Sequence, residues 1–288
     1  MNWRDLSQEE LDAAYNQATY APNMAEVIAR LSDKSREARK LLGNPQTHIY
    51  GGQTIESLDL YSSNKTQSPI VVFIHGGSWQ AGTAEDNAFP ARTLVNSGCH
   101  FVVPDFSPVG DFDGDIHGMV IQLKQAISWV HQEAQTFGGD PNNIFLCGFS
   151  SGAHLAGVLL TQNWTDMGLP CYPFRGAMLC SGMYELTPVS HSFRREFVNL
   201  DENNIPELSP LVNLENIHCP LVVAYGTKES PEFIRQGDDF IHALRKNGKA
   251  VSKVVAQGLN HFEIIESLES SESVLSKALL TLVANQRV

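Results

Sequence analysis

The chain has 288 residues, of which 42% are hydrophobic, so it is long enough to bury a sizeable core. Its 32 acidic and 20 basic residues give a net charge of −12, which argues against a nucleic acid or a membrane surface as a partner. The polar start, the absence of an apolar membrane-length run and five scattered cysteines without a C-x-x-C pair predict a cytoplasmic protein with reduced thiols.

The first 45 residues are predicted to be helical. Ser7 and Glu10 form an S-x-x-E capping box that opens one helix. A second helix has an apolar face at spacings of three and four, and Gly43 with Pro45 ends it. That face consists of Met24, Ile28, Leu31, Ser35, Ala38 and Leu42. Because both helices precede the first strand, residues 1–45 are interpreted as an N-terminal helical extension, which we expect near the active site.

From residue 47 onward, strand-like runs alternate with helical patterns. The runs are THIY (47–50), IESLDLYS (55–62), IVVFI (70–74), HFVVP (100–104), NIFLC (143–147), GAMLC (176–180), LVVAY (221–225) and SKVVA (252–256). Several are continuously apolar, which is typical of strands buried on both faces. One of the intervening helices has its apolar face at Ile116, Val120, Leu123, Ile127 and Val130. The alternation predicts an α/β fold with a mostly parallel sheet, and the absence of a linker predicts one domain over residues 1–288.

The stretch CGFSSGAHLAG, residues 147–157, follows a predicted strand and opens a predicted helix. Its G-x-S-x-G pattern is centred on Ser150, and small residues on either side permit the sharp turn that exposes a nucleophile. The turn also lies at a helix N-terminus, where backbone N–H groups favour negative charge. We therefore predict Ser150 as the nucleophile and the amide of Ser151 as an oxyanion donor, with the Ser151 hydroxyl in ordinary helix-start hydrogen bonding.

A second glycine-rich segment, His75-Gly76-Gly77-Ser78-Trp79, follows the strand at 70–74. Acyl transfer needs backbone donors that face the nucleophile, and glycines let the backbone approach closely. The amides of Gly77 and Ser78 are the predicted donors. The alternative is a glycine-rich turn that merely closes a strand.

The chain order of such enzymes is serine, acid, histidine. His261 lies in a polar turn after the last strand, from which it can reach the carboxyl edge of the sheet, and it is the predicted base. The acid should follow the strand at 221–225, where Glu229 is the first carboxylate. The other candidates fall in the next helix, on positions predicted to face solvent or to cap: Glu232, Asp238 and Asp239. His154, one turn past Ser150, is interpreted as a packing residue.

Together these segments resemble the α/β-hydrolase superfamily, and more closely the kynurenine formamidase (arylformamidase) family with its esterase-like relatives. The resemblance covers nearly the whole chain and is carried by LDAAYNQATYAPN, HGGSWQ, GFSSGAHLA, SGMYELTPV, ESPEFIRQ and GLNHFEIIE. It implies Ser150 as nucleophile, Glu229 as acid, His261 as base, and oxyanion amides from residues 77, 78 and 151. Two departures are Glu229, where the family usually has Asp, and Ser78, where formamidases often carry a larger aromatic residue.

The resemblance implies hydrolysis of an N-formyl aryl amine such as N-formylkynurenine, with no metal or other cofactor. Trp79 and Phe149 are candidate walls for the aryl group of a small acyl substrate. A carboxylesterase or amidase for another acyl compound uses the same machinery, and a binding protein that has lost catalysis is the third reading. The sequence does not decide among substrates or acyl lengths, and a homo-oligomer stays open.

Overall fold

The structure, a computed structural model, describes residues 2–285 and contains one sheet of eight strands within that range. The strands are β1 (Gln46–Ile49), β2 (Ser57–Tyr61), β3 (Ser68–Ile74), β4 (His100–Pro104), β5 (Gly139–Phe149), β6 (Phe174–Cys180), β7 (Leu221–Gly226) and β8 (Val251–Ala256). Their order across the sheet is β1-β2-β4-β3-β5-β6-β7-β8. The pairs β1–β2 and β2–β4 are antiparallel and the other five pairs are parallel, so the predicted mostly parallel sheet is confirmed.

The central strands are buried on both faces because their side chains alternate between two apolar layers. In β3, Val72 and Ile74 pack on one side of the sheet, whereas Val71 and Phe73 pack on the other. The carboxyl ends of β3, β5, β6 and β7 therefore meet at one edge, where loops can bring polar groups together.

Ten α-helices lie within the described residues, on both sides of the sheet. They are α1 (Gln8–Tyr15), α2 (Met24–Leu42), α3 (Ala91–Asn96), α4 (Ile116–Glu133), α5 (Ser151–Leu160), α6 (Thr187–His191), α7 (Asn204–Leu208), α8 (Pro231–Lys246), α9 (His261–Glu266) and α10 (Val274–Asn285). The helices α1, α4, α5 and α8 pack on one face, and α3, α9 and α10 on the other. The predicted apolar face of α4 is fully buried. None of these helices has the length and apolar character needed to cross a membrane.

The predicted N-terminal helices are present. The capping box of Ser7 and Glu10 starts α1, and α2 ends at Gly43, whose φ of 85° ends the helical path. One detail of the predicted α2 face is wrong, because Val27 is buried whereas Ile28 is 42% exposed. That the whole chain forms a single domain stays a prediction.

Ion pairs fasten α2 to α9. The Nε and Nη2 atoms of Arg30 each donate to the carboxylate of Glu266 at 2.8 Å, and Lys34 Nζ lies 3.3 Å from the same carboxylate. At the start of α9, Asn260 Nδ2 donates to Asn23 Oδ1 at 2.8 Å. The N-terminal extension is thereby held against the turn that carries His261.

Candidate active site

The turn between β5 and α5 holds Ser150 in a strained backbone conformation. Its φ of 54° and ψ of −123° lie in a region that non-glycine residues seldom occupy. Glycine is required on both sides of the turn. A Cβ on Gly148 would lie 2.5 Å from the carbonyl oxygen of Gly152, and one on Gly152 would lie 2.1 Å from that of Ile74. The packing of α5 against β3 thus explains the G-x-S-x-G spacing.

A hydrogen-bonded chain links the three residues singled out in the sequence. The Nε2 atom of His261 lies 2.9 Å from Ser150 Oγ, and its Nδ1 atom lies 2.7 Å from Glu229 Oε2. All three side chains are buried, with 6% or less of each residue exposed. The imidazole is also held by aromatic rings, with Phe149, Phe233 and Phe262 at centroid distances of 4.9, 5.0 and 5.2 Å.

Two further donors orient the Glu229 carboxylate. The Ser181 hydroxyl and the backbone N–H of Gly226 each donate to Glu229 Oε1 at 2.6 Å. Ser181 follows β6 directly and has a φ of 56°. Sequence reasoning missed this residue, because only the pairing of β6 with β7 brings it next to Glu229. Nearby, burial and then the Glu229 charge raise the pKa of the Cys180 thiol, which keeps that thiol protonated.

The alternative acid Glu232 does not face solvent, and that part of the prediction is wrong. Glu232 is fully buried, and its carboxylate accepts hydrogen bonds from Tyr15 Oη at 2.9 Å and from two nitrogens of Arg235. Its position as the second residue of α8 directs it toward Tyr15 of α1. Asp238 accepts a hydrogen bond from Tyr225 Oη at 2.7 Å on the outer part of the helix.

Two other histidines lie close in sequence to the predicted loops and are neutral. Burial lowers the pKa of both His75 and His154 to about 4. His154 accepts a hydrogen bond from Trp79 Nε1 at 3.2 Å and donates through Nε2 to the carbonyl of Leu208 at 2.8 Å. His154 is a packing residue, as the sequence analysis expected.

The loop after β3 lies opposite the turn at Ser150. A Cβ on Gly76 would lie 3.1 Å from Ser150 Cβ, and a Cβ on Gly77 would lie 1.9 Å from the carbonyl oxygen of Ala81. Within residues 2–285, the backbone N–H groups of Gly77, Ser78 and Ser151 donate no hydrogen bond to another group of the protein. In the described range, the fold therefore leaves these three N–H groups without a protein acceptor.

A cavity of about 290 Å³ opens above Ser150 and is the right size for a small ligand. Its lining comprises Tyr15, Asn16, Gln17, Ala18, Met24, Ile28, Gly77, Ser78, Phe149, Ser150, Phe193, Arg194, His261 and Phe262. The predicted wall residue Phe149 lies there. Trp79 does not, because it is buried in the core and bonded to His154.

The N-terminal extension supplies part of this lining, which explains the exposure of Ile28. Gln17 also braces the loop that carries Glu229. Its Nε2 donates to Ser230 Oγ at 2.8 Å, and its Oε1 accepts from the backbone N–H of Ser230 at 3.3 Å. No cluster of three or more His, Cys, Asp or Glu side chains in the described part of the chain is arranged to hold a metal ion.

Comparison with known proteins identifies the family of the chain. The family model BD-FAE matches residues 58–176. Kynurenine formamidases from Danio rerio and Salmo salar are 31% and 30% identical to the chain, each over 98% of both sequences. A solved structure from Silicibacter sp. TM1040, described as a candidate thioesterase, superimposes with a TM-score of 0.81 at 22% identity and covers 95% of this chain and 98% of its own. The protein is therefore a hydrolase, and it belongs to the kynurenine formamidase/esterase-like family of α/β-hydrolases.

Proposed function

We propose that Ser150, His261 and Glu229 act as nucleophile, general base and orienting acid in the hydrolysis of an N-formyl aryl amide such as N-formylkynurenine. The observation that carries the proposal is the continuous hydrogen-bonded chain from Ser150 Oγ through His261 to Glu229, at 2.9 and 2.7 Å. The relatives named kynurenine formamidase support the substrate class. The free cysteines of the described chain support action in the cytoplasm.

In the acylation step, His261 Nε2 takes the hydroxyl proton of Ser150 as Oγ attacks the carbonyl carbon. The backbone N–H groups of Gly77, Ser78 and Ser151 stabilise the oxyanion that forms. Glu229 holds the imidazole in the tautomer whose Nε2 accepts the proton, and it stabilises the imidazolium. His261 then donates that proton to the leaving arylamine as the C–N bond breaks.

Deacylation repeats these roles with water as the nucleophile. His261 takes a proton from water, the hydroxide oxygen attacks the ester carbonyl, and the proton returns to Ser150 Oγ as the acid product leaves. For a formyl substrate the products are formate and a free arylamine.

A second candidate is an esterase or amidase for larger acyl groups, and Ser78 favours it. This residue lines the cavity, and its small side chain leaves room where an aromatic residue would fill space. Apolar acyl pockets discriminate by about 1–3 kcal/mol per methylene, so local room strongly affects acyl preference.

A kinetic panel separates the two candidates. We would measure kcat/KM for N-formylkynurenine, for formyl, acetyl and butyryl anthranilates, and for short p-nitrophenyl esters. A dedicated formamidase prefers formyl compounds strongly, whereas the second candidate accepts acetyl and butyryl groups at comparable rates and loses them selectively in Ser78→Tyr. If no substrate of the panel is hydrolysed and a fluorophosphonate does not label Ser150, the protein is a binding protein. That result would overturn both candidate functions.

A further inference from the structure

Arg194 is a buried cation in the lining of the cavity that contains Ser150. It lies in the short turn Phe193–Glu196, only 4% of it is exposed, and its Nη2 donates to the carbonyl oxygen of Tyr15 at 2.9 Å. Its Nε and Nη1 groups are buried and have no hydrogen-bond partner. The guanidinium therefore retains two nitrogens without a hydrogen-bond partner, in a residue that lines the same cavity as Ser150.

No acidic residue in the described range pairs with this guanidinium. The nearby carboxylates of Glu185, Glu232 and Asp239 are instead taken by Arg235. Burial lowers the pKa of Arg194 to about 10, which still leaves it charged at neutral pH. A buried charge without a counterion is costly, and so are buried donors without acceptors.

The surroundings of Arg194 are aromatic. The guanidinium carbon lies 5.5 Å from the ring centroid of Trp79 and 5.4 Å from that of Phe193. These rings compensate part of the desolvation of a cation but accept no in-plane hydrogen bonds. The cavity wall thus combines a guanidinium-bearing residue with aromatic residues, namely Phe149, Phe193 and Phe262.

We propose that Arg194 binds a carboxylate of the substrate, so that the preferred substrates are aryl amides or esters carrying an anionic group. A carboxylate would supply the counterion that this buried cation lacks, and it would accept a charge-assisted hydrogen bond from the guanidinium. This inference rests on the proposed function for the position of the reacting bond, and it adds the residue that recognises the anionic group of the substrate.

The test uses two substrates that differ only in charge, N-formylanthranilate and its neutral carboxamide. The wild-type enzyme should favour the carboxylate in kcat/KM, and the Arg194→Met variant should lose that preference by a factor on the order of 10 to 100. Arg194→Lys, which keeps the charge without the planar guanidinium, should fall between them. The matched control is Arg195→Met, since Arg195 is exposed and outside the cavity lining. It should retain the wild-type preference.

A second measurement needs no variant. Anthranilate and anthranilamide are compared as competitive inhibitors of the wild-type hydrolysis of a neutral p-nitrophenyl ester. Stronger inhibition by anthranilate supports the inference, even if Arg194→Met folds poorly. Equal inhibition by the two compounds, or an unchanged substrate preference in Arg194→Met, would overturn it. If formyl amides are not cleaved but the esters are, the formamidase proposal fails while the inhibition comparison still decides the role of Arg194.

Discussion

Replacement of Ser181 by alanine removes one of the contacts that fix the acid of the proposed triad. The Glu229 carboxylate is held by the Ser181 hydroxyl and the Gly226 N–H on one oxygen, and by His261 on the other. Ser181 is 2% exposed, so solvent does not readily replace its hydroxyl. The variant therefore leaves a buried carboxylate with an unsatisfied oxygen lone pair and greater freedom to rotate.

The size of the expected loss in rate follows from the negative charge of the Glu229 carboxylate, which accepts the hydrogen bond. A hydrogen bond to a charged group contributes about 1.5–3 kcal/mol, which corresponds to a rate factor of roughly 10 to 150 if the loss is expressed in the transition state. Loss of the acid itself costs more, about 10⁴-fold in other triads. Ser181→Ala should be milder because Gly226 and His261 still hold Glu229.

Steady-state kinetics on the best substrate of the panel measure the effect. Because Ser181 acts through Glu229 and does not line the cavity, kcat should fall while KM stays near its wild-type value. Ser181→Gly also removes the hydroxyl, and glycine adopts the positive φ without strain. If the lost hydrogen bond lowers kcat, the two variants should lose similar activity. The control is Ser276→Ala, a buried serine on α10. A wild-type kcat in Ser181→Ala would refute the reasoning. A wild-type kcat in Ser181→Gly alone would show that backbone strain, and not the lost hydrogen bond, lowers the activity of Ser181→Ala.

The remaining predictions concern the turn and the acid. Ser150→Ala should abolish turnover and fluorophosphonate labelling, while Ser151→Ala, which keeps its backbone N–H, should retain most activity. The reverse result would identify Ser151 as the nucleophile. Glu229→Gln should lower kcat by about 10⁴-fold and Asp238→Asn should be nearly normal, and comparable activity in the two would place the acid elsewhere. Gly152→Ala should destabilise the fold by about 1–3 kcal/mol or more in urea unfolding, because its Cβ would lie 2.1 Å from a backbone oxygen; unchanged stability would contradict the close packing of the turn.

The arrangement of strands and helices was predictable because it depends on local patterns. Continuous apolar runs indicated strands buried on both faces, and the 3.6-residue spacing of α4 indicated a helix packed on one side. The positions of Ser150 and His261 followed from the same logic, since parallel strands end at a common edge. Glu229 was the first carboxylate after β7, and the choice needed only chain order.

Contacts between residues distant in the chain were decided by the tertiary structure alone. Ser181, Arg194 and Gln17 reach the site from three separate segments, and no spacing rule relates them to Ser150. The burial of Glu232 likewise depends on Tyr15, more than 200 residues earlier in the chain, because α1 packs against α8. Sequence patterns report whether a side chain lies on an apolar or a polar face, but a buried polar group is stabilised by partners that only the assembled fold brings within hydrogen-bonding distance.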